Sequence, residues 1–289
     1  MMPAMPPNRT VWQRQVDAHF AAAADFWDEV YERGDGEGRR YKTRLERALA
    51  WVDAVALPAG THALDLGAGA GSATVELARR GFTVDAIDSV PAMATRIKER
   101  AARFGVVGRV RARVADARAL PYPDESFDLV MALGVVPWLD QPRLAIAEIA
   151  RVLKPGGWLV VSCANRAALC VLIEPMYNPM LAPARRFVAA TLRRIGWRKT
   201  PEHGPRPRLQ SLRSLTDLLV SAGLVQQGWQ SYGFGPLSFL NQRFPDRLGL
   251  WLDQRLQAAA DAKIPFVRSA GVGFLVLAQR ALQPTEGKH

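Results

Sequence analysis

The chain of 289 residues is long enough for one large domain or for one domain with a sizeable appendage. Hydrophobic residues make up 49% and charged residues 22%, which excludes a disordered, collagen-like or coiled-coil chain. Lys and Arg outnumber Asp and Glu by 38 to 27, so the net charge is +11. The only cysteines, Cys163 and Cys170, exclude a disulfide framework and a cysteine-based zinc site.

No stretch of the sequence has the length and apolar character of a membrane-spanning helix. The best candidate, residues 158–173, is interrupted by Asn165 and Arg166, whereas a spanning helix needs about 20 apolar residues. The start of the chain is Pro-rich and lacks the apolar centre of a signal peptide. These features predict a cytoplasmic location.

Residues 1–57 predict a helical segment that lies over the rest of the protein as a lid. Apolar residues recur at helical spacing at Leu45, Leu49 and Val52, so residues 40–55 predict one amphipathic helix after a Gly-rich break. The first ten residues are expected to be disordered.

Residues 58–164 alternate between short apolar runs and amphipathic stretches. The runs predict strands at 61–66, 83–88, 110–115, 127–133 and 158–164, and the stretches between them predict helices at 72–80, 91–104 and 143–153. Strands separated by helices form right-handed crossovers. The segment therefore predicts an α/β core with a parallel, doubly wound, Rossmann-like sheet.

Two insertions interrupt this alternation in the rest of the chain. Residues 165–210 hold six prolines and predict one or two helices with a loop. Residues 211–289 complete the sheet with a helix and two strands, and a second insertion at about 233–270 separates those strands. Both insertions leave the sheet at the carboxyl ends of parallel strands, where ligands bind in such folds, so we expect them to form further lids.

A Gly-rich turn follows the first predicted strand. Gly67, Gly69 and Gly71 alternate with alanine, and Asp65 stands two residues before the first of these glycines. Glycines here permit a tight turn and a close approach of a ligand to the backbone, and the next helix offers free amides. Dinucleotide-binding enzymes use a similar turn, but their third glycine falls where this chain has Ser72.

Two further carboxylates stand at the ends of the next strands. Asp88 ends the second predicted strand, where a carboxylate accepts hydrogen bonds from a ribose diol. Asp116 ends the third, where it is placed to accept from the exocyclic amine of adenine while the Ala117 amide faces a ring nitrogen. Polar features at three successive strand ends predict a site for an adenine nucleoside.

Four segments in fixed order connect the chain with a known family. They are DLGAGAG at 65–71, IDSVPAM at 87–93, ADA followed by LPYPDESFD at 115–128, and RVLKPGG at 151–157. Through them the chain resembles the class I S-adenosylmethionine-dependent methyltransferases. It is most similar to the group that includes the ubiquinone/menaquinone-type and related small-molecule methyltransferases.

The resemblance implies a seven-stranded sheet with an antiparallel last strand, and S-adenosyl-L-methionine as cofactor. It also implies a set of cofactor contacts by position in the motifs. Gly67, Gly69 and Gly71 would line the methionine and ribose, Asp65 would support the amino group, Asp88 with Ser89 would hold the ribose, Met93, Asp116 and Ala117 would surround adenine, Leu133 would border the sulfonium, and Tyr31 would approach from the lid.

No acid or base for catalysis follows from the motifs. Many relatives carry a polar residue after the fourth strand, whereas this chain has apolar and aromatic residues at 134–138. Methyl transfer from a good leaving group mainly needs alignment, and a base only for a resistant proton. His19, His203 and Tyr31 are the candidates, since each lies in a segment that can fold over the site. No constellation typical of a metal site occurs, so no metal is expected.

These features predict a methyltransferase for a hydrophobic or aromatic small molecule, such as a quinone, a polyketide-like product or a lipid-linked precursor. Two alternatives stay open. A nucleic-acid methyltransferase is favoured by the positive charge, but the Asn/Asp-Pro-Pro-Tyr/Phe motif of base-methylating enzymes is missing at 134–138, so a nucleic-acid partner is disfavoured. A non-catalytic module that binds S-adenosylmethionine would carry the same motifs.

The first insertion is strongly basic. Residues 181–213 hold nine Lys or Arg against one acid. Val188, Leu192 and Ile195 would share one face of a helix, with Arg186 and Arg193 roughly opposite. A basic amphipathic helix is typical of peripheral contact with an anionic membrane, and the other interpretation is that its apolar face packs on the lid.

Overall fold

The computed structural model describes residues 10–194, 204–240 and 242–282. The disorder expected at the start of the chain therefore lies almost entirely outside the described residues, as do the candidate His203 and the helix position Ile195.

The described chain begins with helices, and its first strand starts at residue 62. The helices are α1 Val11–Ala22, α2 Ala24–Glu29, α3 Gly36–Val55, α4 Ser72–Arg79, α5 Pro91–Arg103, α6 Pro142–Val152, α7 Leu169–Ile173, α8 Ala182–Arg194, α9 Leu212–Val220 and α10 Asp246–Asp261. The strands are β1 His62–Leu66, β2 Thr83–Asp88, β3 Val110–Val114, β4 Phe127–Ala132, β5 Leu153–Asn165, β6 Leu209–Gln210, β7 Leu224–Tyr232, β8 Ser238–Phe239, β9 Gln242–Arg243 and β10 Gly273–Arg280.

Seven strands form the main sheet in the order β3-β2-β1-β4-β5-β10-β7, and the short β6 adds to β5. Strands β1 to β5 pair in parallel, whereas β10 pairs antiparallel with both β5 and β7. The predicted Rossmann-like sheet with an antiparallel last strand is confirmed. One detail differs: β5 begins at Leu153, before the expected turn, and its register against β4 shifts there.

The sheet is covered by apolar side chains on both faces. On one face, Ile146 and Leu215 from α6 and α9 pack in a fully buried cluster with the strands. On the other, Leu49 of α3 and Leu77 of α4 pack in a second cluster. Because both faces are buried, β4 is apolar from 129 to 132 and β5 from 158 to 161, as expected of parallel strands between helices.

Three segments lie at the edge formed by the carboxyl ends of the parallel strands. Helices α1 to α3 precede the sheet, and α1 begins at Thr10, whose hydroxyl accepts a hydrogen bond from the Gln13 amide. Helices α7 and α8 follow β5, and β8, β9 and α10 lie between β7 and β10. The division into a core and lids at 1–57, 165–210 and 233–270 stays a prediction. Among the described helices, none combines the length and the apolar character needed to cross a bilayer.

Candidate functional site

A cavity opens where the order of the strands reverses. Strands β2 and β3 extend to one side of β1, and β4 and β5 extend to the other. Helices on opposite faces diverge at such a point, so a crevice forms outside the carboxyl ends of the strands. The empty space is about 1230 Å³, a figure that includes the open solvent at its mouth.

Two glycines let the chain close tightly around this cavity. Gly67 after β1 has φ 64°, and a Cβ there would stand 2.4 Å from a methyl carbon of Val135. Gly134 after β4 has φ 81°, and a Cβ there would stand 2.5 Å from a guanidinium nitrogen of Arg44. Side chains at either position would therefore collide with the opposite wall, and positive φ would strain them as well.

Asp88 holds the Gly-rich turn and also faces the cavity. Its Oδ2 accepts from the Gly69 amide at 3.0 Å, and its Oδ1 accepts from the Val90 amide at 2.9 Å. Burial raises the pKa of this carboxyl, while these amide hydrogen bonds oppose the rise. Each oxygen keeps a lone pair for a further donor, so the group can still hold a vicinal diol.

Asp65, at the end of β1, is the most deeply buried carboxyl of the cavity wall. Its Oδ2 accepts from the Thr74 hydroxyl at 2.6 Å. Burial raises the pKa of Asp65 to about 6; the nearby Asp88 adds to the rise, and the Thr74 hydrogen bond and Arg44 oppose it. A cationic group bound beside Asp65 would stabilise its ionised form.

Asp116 is oriented by a buried arginine that the motifs do not include. Arg118 binds both oxygens of Asp116, at 2.9 and 2.7 Å, and its other end binds Asp140 at 3.1 Å. The Arg118 side chain is 1% exposed. This bidentate contact fixes the plane of the Asp116 carboxylate, which lines the cavity together with Ala117.

Arg44 of α3 is a buried cation on the cavity wall that the sequence analysis missed. It is 7% exposed and donates to the Tyr31 hydroxyl at 2.9 Å. Its Nε is buried without a hydrogen-bond partner, and its guanidinium lies over the Tyr41 ring at 5.0 Å. A buried arginine normally pairs with an anion, so this one is placed to receive an anionic group from a ligand. The helical sequence pattern around Arg44 does not predict that its side chain is buried in the cavity wall.

Aromatic rings form another part of the cavity wall, here called the aromatic wall. Phe20 and Trp27 lie 5.2 Å apart, Trp27 and Tyr41 5.4 Å, and Phe20 and Trp138 5.1 Å, all between ring centroids. Together with Tyr31, all four rings line the cavity. They come from α1 to α3 and from the turn at 136–138, so only the folded chain brings them together.

Most of the expected site residues line this one cavity. They are Tyr31, Asp65, Gly67, Gly69, Asp88, Ser89, Met93, Asp116, Ala117 and Leu133. Gly71 instead begins α4, where a Cβ would stand 3.2 Å from the Ile97 backbone. His19 lies on the exposed side of α1, stacked on Trp138 at 6.0 Å, and is not among the lining residues. Gln13, Asp17 and Arg44 line the cavity without having been expected.

Comparison with known proteins agrees with this arrangement. Residues 64–161 match the family described as "Methyltransferase domain". The chain is 36% identical over 154 residues to a malonyl-[acyl-carrier protein] O-methyltransferase of Halorhodospira halophila, a match that covers 52% of this chain and 48% of the relative. It is 39% identical over 151 residues to an uncharacterised methyltransferase of Mycobacterium tuberculosis, covering 52% and 54% of the two chains. The chain thus spans about half the length of these curated relatives.

Solved structures show the same fold. The [4+2]-cyclase SpnF superposes with a TM-score of 0.61 at 19% identity, over 96% of this chain and 99% of the cyclase. A geranyl diphosphate methyltransferase solved with S-adenosylmethionine superposes with a TM-score of 0.50 at 19% identity, over 82% and 85% of the two chains.

The fold and the site define a Rossmann-like domain of the methyltransferase type. Residues 64–161 are a methyltransferase domain, and this part of the chain is similar to the class I S-adenosylmethionine-dependent methyltransferases, whose cofactor is S-adenosyl-L-methionine. The narrower likeness to the ubiquinone/menaquinone-type group stays a prediction.

Proposed function

We propose that the chain transfers a methyl group from S-adenosyl-L-methionine to a hydrophobic or aromatic small molecule. One observation carries the proposal. A single cavity is lined both by a Gly-rich turn with three strand-end carboxylates and by five aromatic rings. The first group suits the cofactor and the second suits an apolar acceptor, so both reactants would meet in one space.

The residues of the cavity fit the charges and polar groups of this cofactor. Asp65 would receive its ammonium group and Arg44 its carboxylate, because the two side chains are the buried anion and cation of the same wall. Asp88 would accept from the ribose hydroxyls, and Asp116, held by Arg118, would accept from the adenine amine. When bound, the cofactor supplies a methyl group on a cationic sulfur that leaves as a neutral thioether.

The aromatic wall would hold and align the acceptor. The rings of Phe20, Trp27 and Trp138 line the same cavity as the Gly-rich turn. Such rings pack favourably edge to face with a planar acceptor. Tyr31 and Tyr41 add hydroxyls that can orient an oxygen of the acceptor. We infer that these residues act by alignment and by exclusion of water.

Among the described residues that line the cavity, none is a histidine. The titratable side chains among them are Asp17, Tyr31, Tyr41, Arg44, Asp65, Asp88 and Asp116. In this proposal Asp65, Asp88, Asp116 and Arg44 are committed to the cofactor. Asp17, Tyr31 and Tyr41 remain for contact with an acceptor; Tyr31 is the one that the sequence predicted, and His19, on the exposed side of α1, is less well placed.

Turnover of labelled cofactor tests the proposal. The purified protein is incubated with methyl-labelled S-adenosylmethionine and a panel of hydroquinones, phenols and polyketide-like compounds, and label in the organic phase is counted. Asp88→Ala should weaken cofactor binding by about 1–3 kcal/mol, because a buried hydrogen-bond acceptor is lost. Glu99→Ala, an exposed carboxylate on α5, serves as the control and should bind normally.

Calorimetry with S-adenosylhomocysteine separates two kinds of failure. Binding without label transfer to any compound would favour the non-catalytic binding module. No binding, or equal binding by Asp88→Ala, would contradict the cofactor site itself.

A carrier-linked carboxylate is the second candidate acceptor. It is favoured by the relative from Halorhodospira halophila, named for O-methylation of a malonyl-carrier protein, and by a bifunctional biotin biosynthesis protein of Teredinibacter turnerae that is 24% identical over 232 residues. Malonyl-carrier protein is therefore included in the panel. Label that appears on this protein and on none of the free aromatic compounds would replace the first candidate by the second.

A further inference from the structure

The first insertion exposes a group of large apolar side chains. Met176, Tyr177, Met180, Leu181 and Phe187, here called the lid patch, are 42–81% exposed, with Met180 at 81% and Phe187 at 75%. Isolated exposed apolar residues are ordinary, but several on one short segment mark an interaction surface.

Hydrogen bonds within the insertion connect the segments that carry the lid patch. Arg185 in the first turn of α8 donates to the backbone oxygens of Pro175 and Asn178, at 2.8 and 2.6 Å. The Asn178 side chain in turn accepts from the Met180 amide at 2.8 Å and donates to the Leu172 oxygen at 2.6 Å. These contacts join the turn at 175–181 to α8 as one unit.

The outward face of α8 is apolar as well. Ala184, Phe187 and Thr191 are exposed at three- and four-residue spacing, which places them on one face. The Thr191 hydroxyl donates to the Phe187 backbone oxygen, so the helix itself satisfies that donor. The stripe of Val188, Leu192 and Ile195 that the sequence suggested is not among the described side chains. The exposed face that carries Phe187 is a different face of α8.

Positive charge surrounds this patch. Arg186 on α8 and Arg206 beyond it are exposed, and Arg206 lies over the Tyr177 ring at 5.6 Å. The whole stretch 181–213 has nine basic residues against one acid. Among the described residues, the patch therefore combines exposed apolar side chains with two exposed arginines.

The insertion stands at the same edge as the cavity. It leaves the sheet after Asn165, at the carboxyl end of β5, and it returns where the Arg208 amide donates to the Pro137 oxygen at 2.8 Å. The turn that contains Pro137 also carries Trp138 of the aromatic wall. A surface that covered the lid patch would therefore lie next to the cavity.

We propose that the lid patch docks this protein on an anionic lipid surface. Apolar side chains that protrude from a helix and a turn can enter the interfacial layer of a bilayer without a complementary shape, and the arginines meet the lipid head groups. A rigid protein partner would instead need close shape complementarity at its interface core. Docked in this way, the protein would take an apolar acceptor directly from the bilayer. This second statement rests on the proposed function.

Sedimentation with vesicles tests the docking. The full chain is mixed at low salt with phosphatidylcholine vesicles that contain about 30 mol% phosphatidylglycerol, and with vesicles of phosphatidylcholine alone. We expect sedimentation with the anionic vesicles only, and release at high salt because salt screens the contact. Met180→Ser with Phe187→Ser, and Arg186→Ser with Arg206→Ser, should each lower the partition coefficient by at least about fivefold.

Matched controls change equally exposed side chains at the opposite edge of the sheet. Val107→Ser with Leu282→Ser removes apolar surface, and Arg79→Ser with Lys98→Ser removes charge, and both pairs should sediment like the parent chain. Absence of sedimentation at low salt, or equal losses in the controls, would overturn the proposal. Loss in the arginine pair alone would show that the apolar side chains do not enter the bilayer, and would overturn docking through the lid patch too.

The two proposals fail separately. Vesicle binding is measured without cofactor or acceptor, and S-adenosylhomocysteine calorimetry on the same samples reports the cavity. If the protein binds S-adenosylhomocysteine but not the vesicles, only the docking proposal is contradicted.

Discussion

Buried Asp65 and Arg44 give the cavity one anionic and one cationic point close to each other. The electrostatic effect of Arg44 on Asp65 favours the ionised carboxylate, yet burial still raises the pKa of Asp65 to about 6. The wall is therefore suited to a zwitterion, because a ligand with both charges would compensate two buried groups at once.

Arg44→Met tests the cationic half of this pair. Methionine keeps most of the volume and removes the charge, so we expect S-adenosylhomocysteine to bind more weakly by about 1.5–3 kcal/mol, the usual value for a hydrogen bond to a charged group. Methylthioadenosine, which lacks the amino-acid carboxylate, should bind both proteins equally in calorimetry. Equal losses for the two ligands would show that Arg44 only supports the fold of the wall.

The pH dependence of cofactor binding tests the anionic half. The raised pKa of Asp65, about 6, means that below pH 6 a proton occupies the carboxylate that the ligand ammonium needs. Affinity for S-adenosylhomocysteine should therefore fall as the pH is lowered from 7 to 5, by about tenfold. Asp65→Asn should bind more weakly at pH 7 and show a flatter profile, so that the two proteins converge at pH 5.

The Asp88 carboxyl, whose pKa burial also raises, is present in both proteins. Only the difference between their profiles therefore reports Asp65. Parallel profiles would assign the pH dependence to another group, and circular dichroism at each pH verifies that both proteins stay folded.

At the scale of elements, α1 is held over the cavity by a few polar contacts. The Thr10 hydroxyl accepts from the Gln13 amide at 3.1 Å and donates to Asp140 at 2.8 Å. Asp140 also binds Arg118, the residue that orients Asp116. Further along α1, Asp17 accepts from the Ser89 hydroxyl at 3.0 Å. The position of α1 and the orientation of Asp116 thus depend on one set of polar contacts.

Thr10→Ala should loosen α1 without changing the sheet. Loss of a helix N-cap costs about 1 kcal/mol, so amide hydrogen exchange over residues 11–22 should accelerate about fivefold, while the β1 and β4 amides keep their rates. Ser211→Ala removes the same kind of cap from α9, where the Ser211 hydroxyl accepts from the Ser214 amide. This control should accelerate α9 alone, and any acceleration spread over the whole protein would contradict a local role for Thr10.

At the scale of the whole molecule, the sheet brings distant segments to one edge. The Gly-rich turn, Asp88 and Asp116 follow β1, β2 and β3, so their meeting follows from parallel pairing alone. The aromatic wall and the lid patch come from chain before and after these strands. In our proposal the cofactor contacts of Asp65, Asp88 and Asp116 belong to the core, whereas Arg44 and most of the aromatic rings come from the helices that precede it.

The elements of the core were predictable because local pattern and tertiary role agree there. Strands β1 and β4 are short apolar runs bounded by turns, α5 begins at Pro91, and each helix presents an apolar stripe. Such periodicity reflects burial directly, so the sequence predicts the sheet and the strand ends that carry Asp65, Asp88 and Asp116.

Other parts of the site were decided only by the tertiary structure. Arg44 looks like a solvent-facing residue in the pattern of α3, and Arg118 looks like an ordinary residue after Asp116, yet both are buried. Spacing along the chain specifies which residues share a helix face, but it does not specify which distant groups that face meets. Trp27 and Trp138 are 111 positions apart and still line one cavity, because the closure of α1 to α3 over the sheet, a long-range packing event, puts them there.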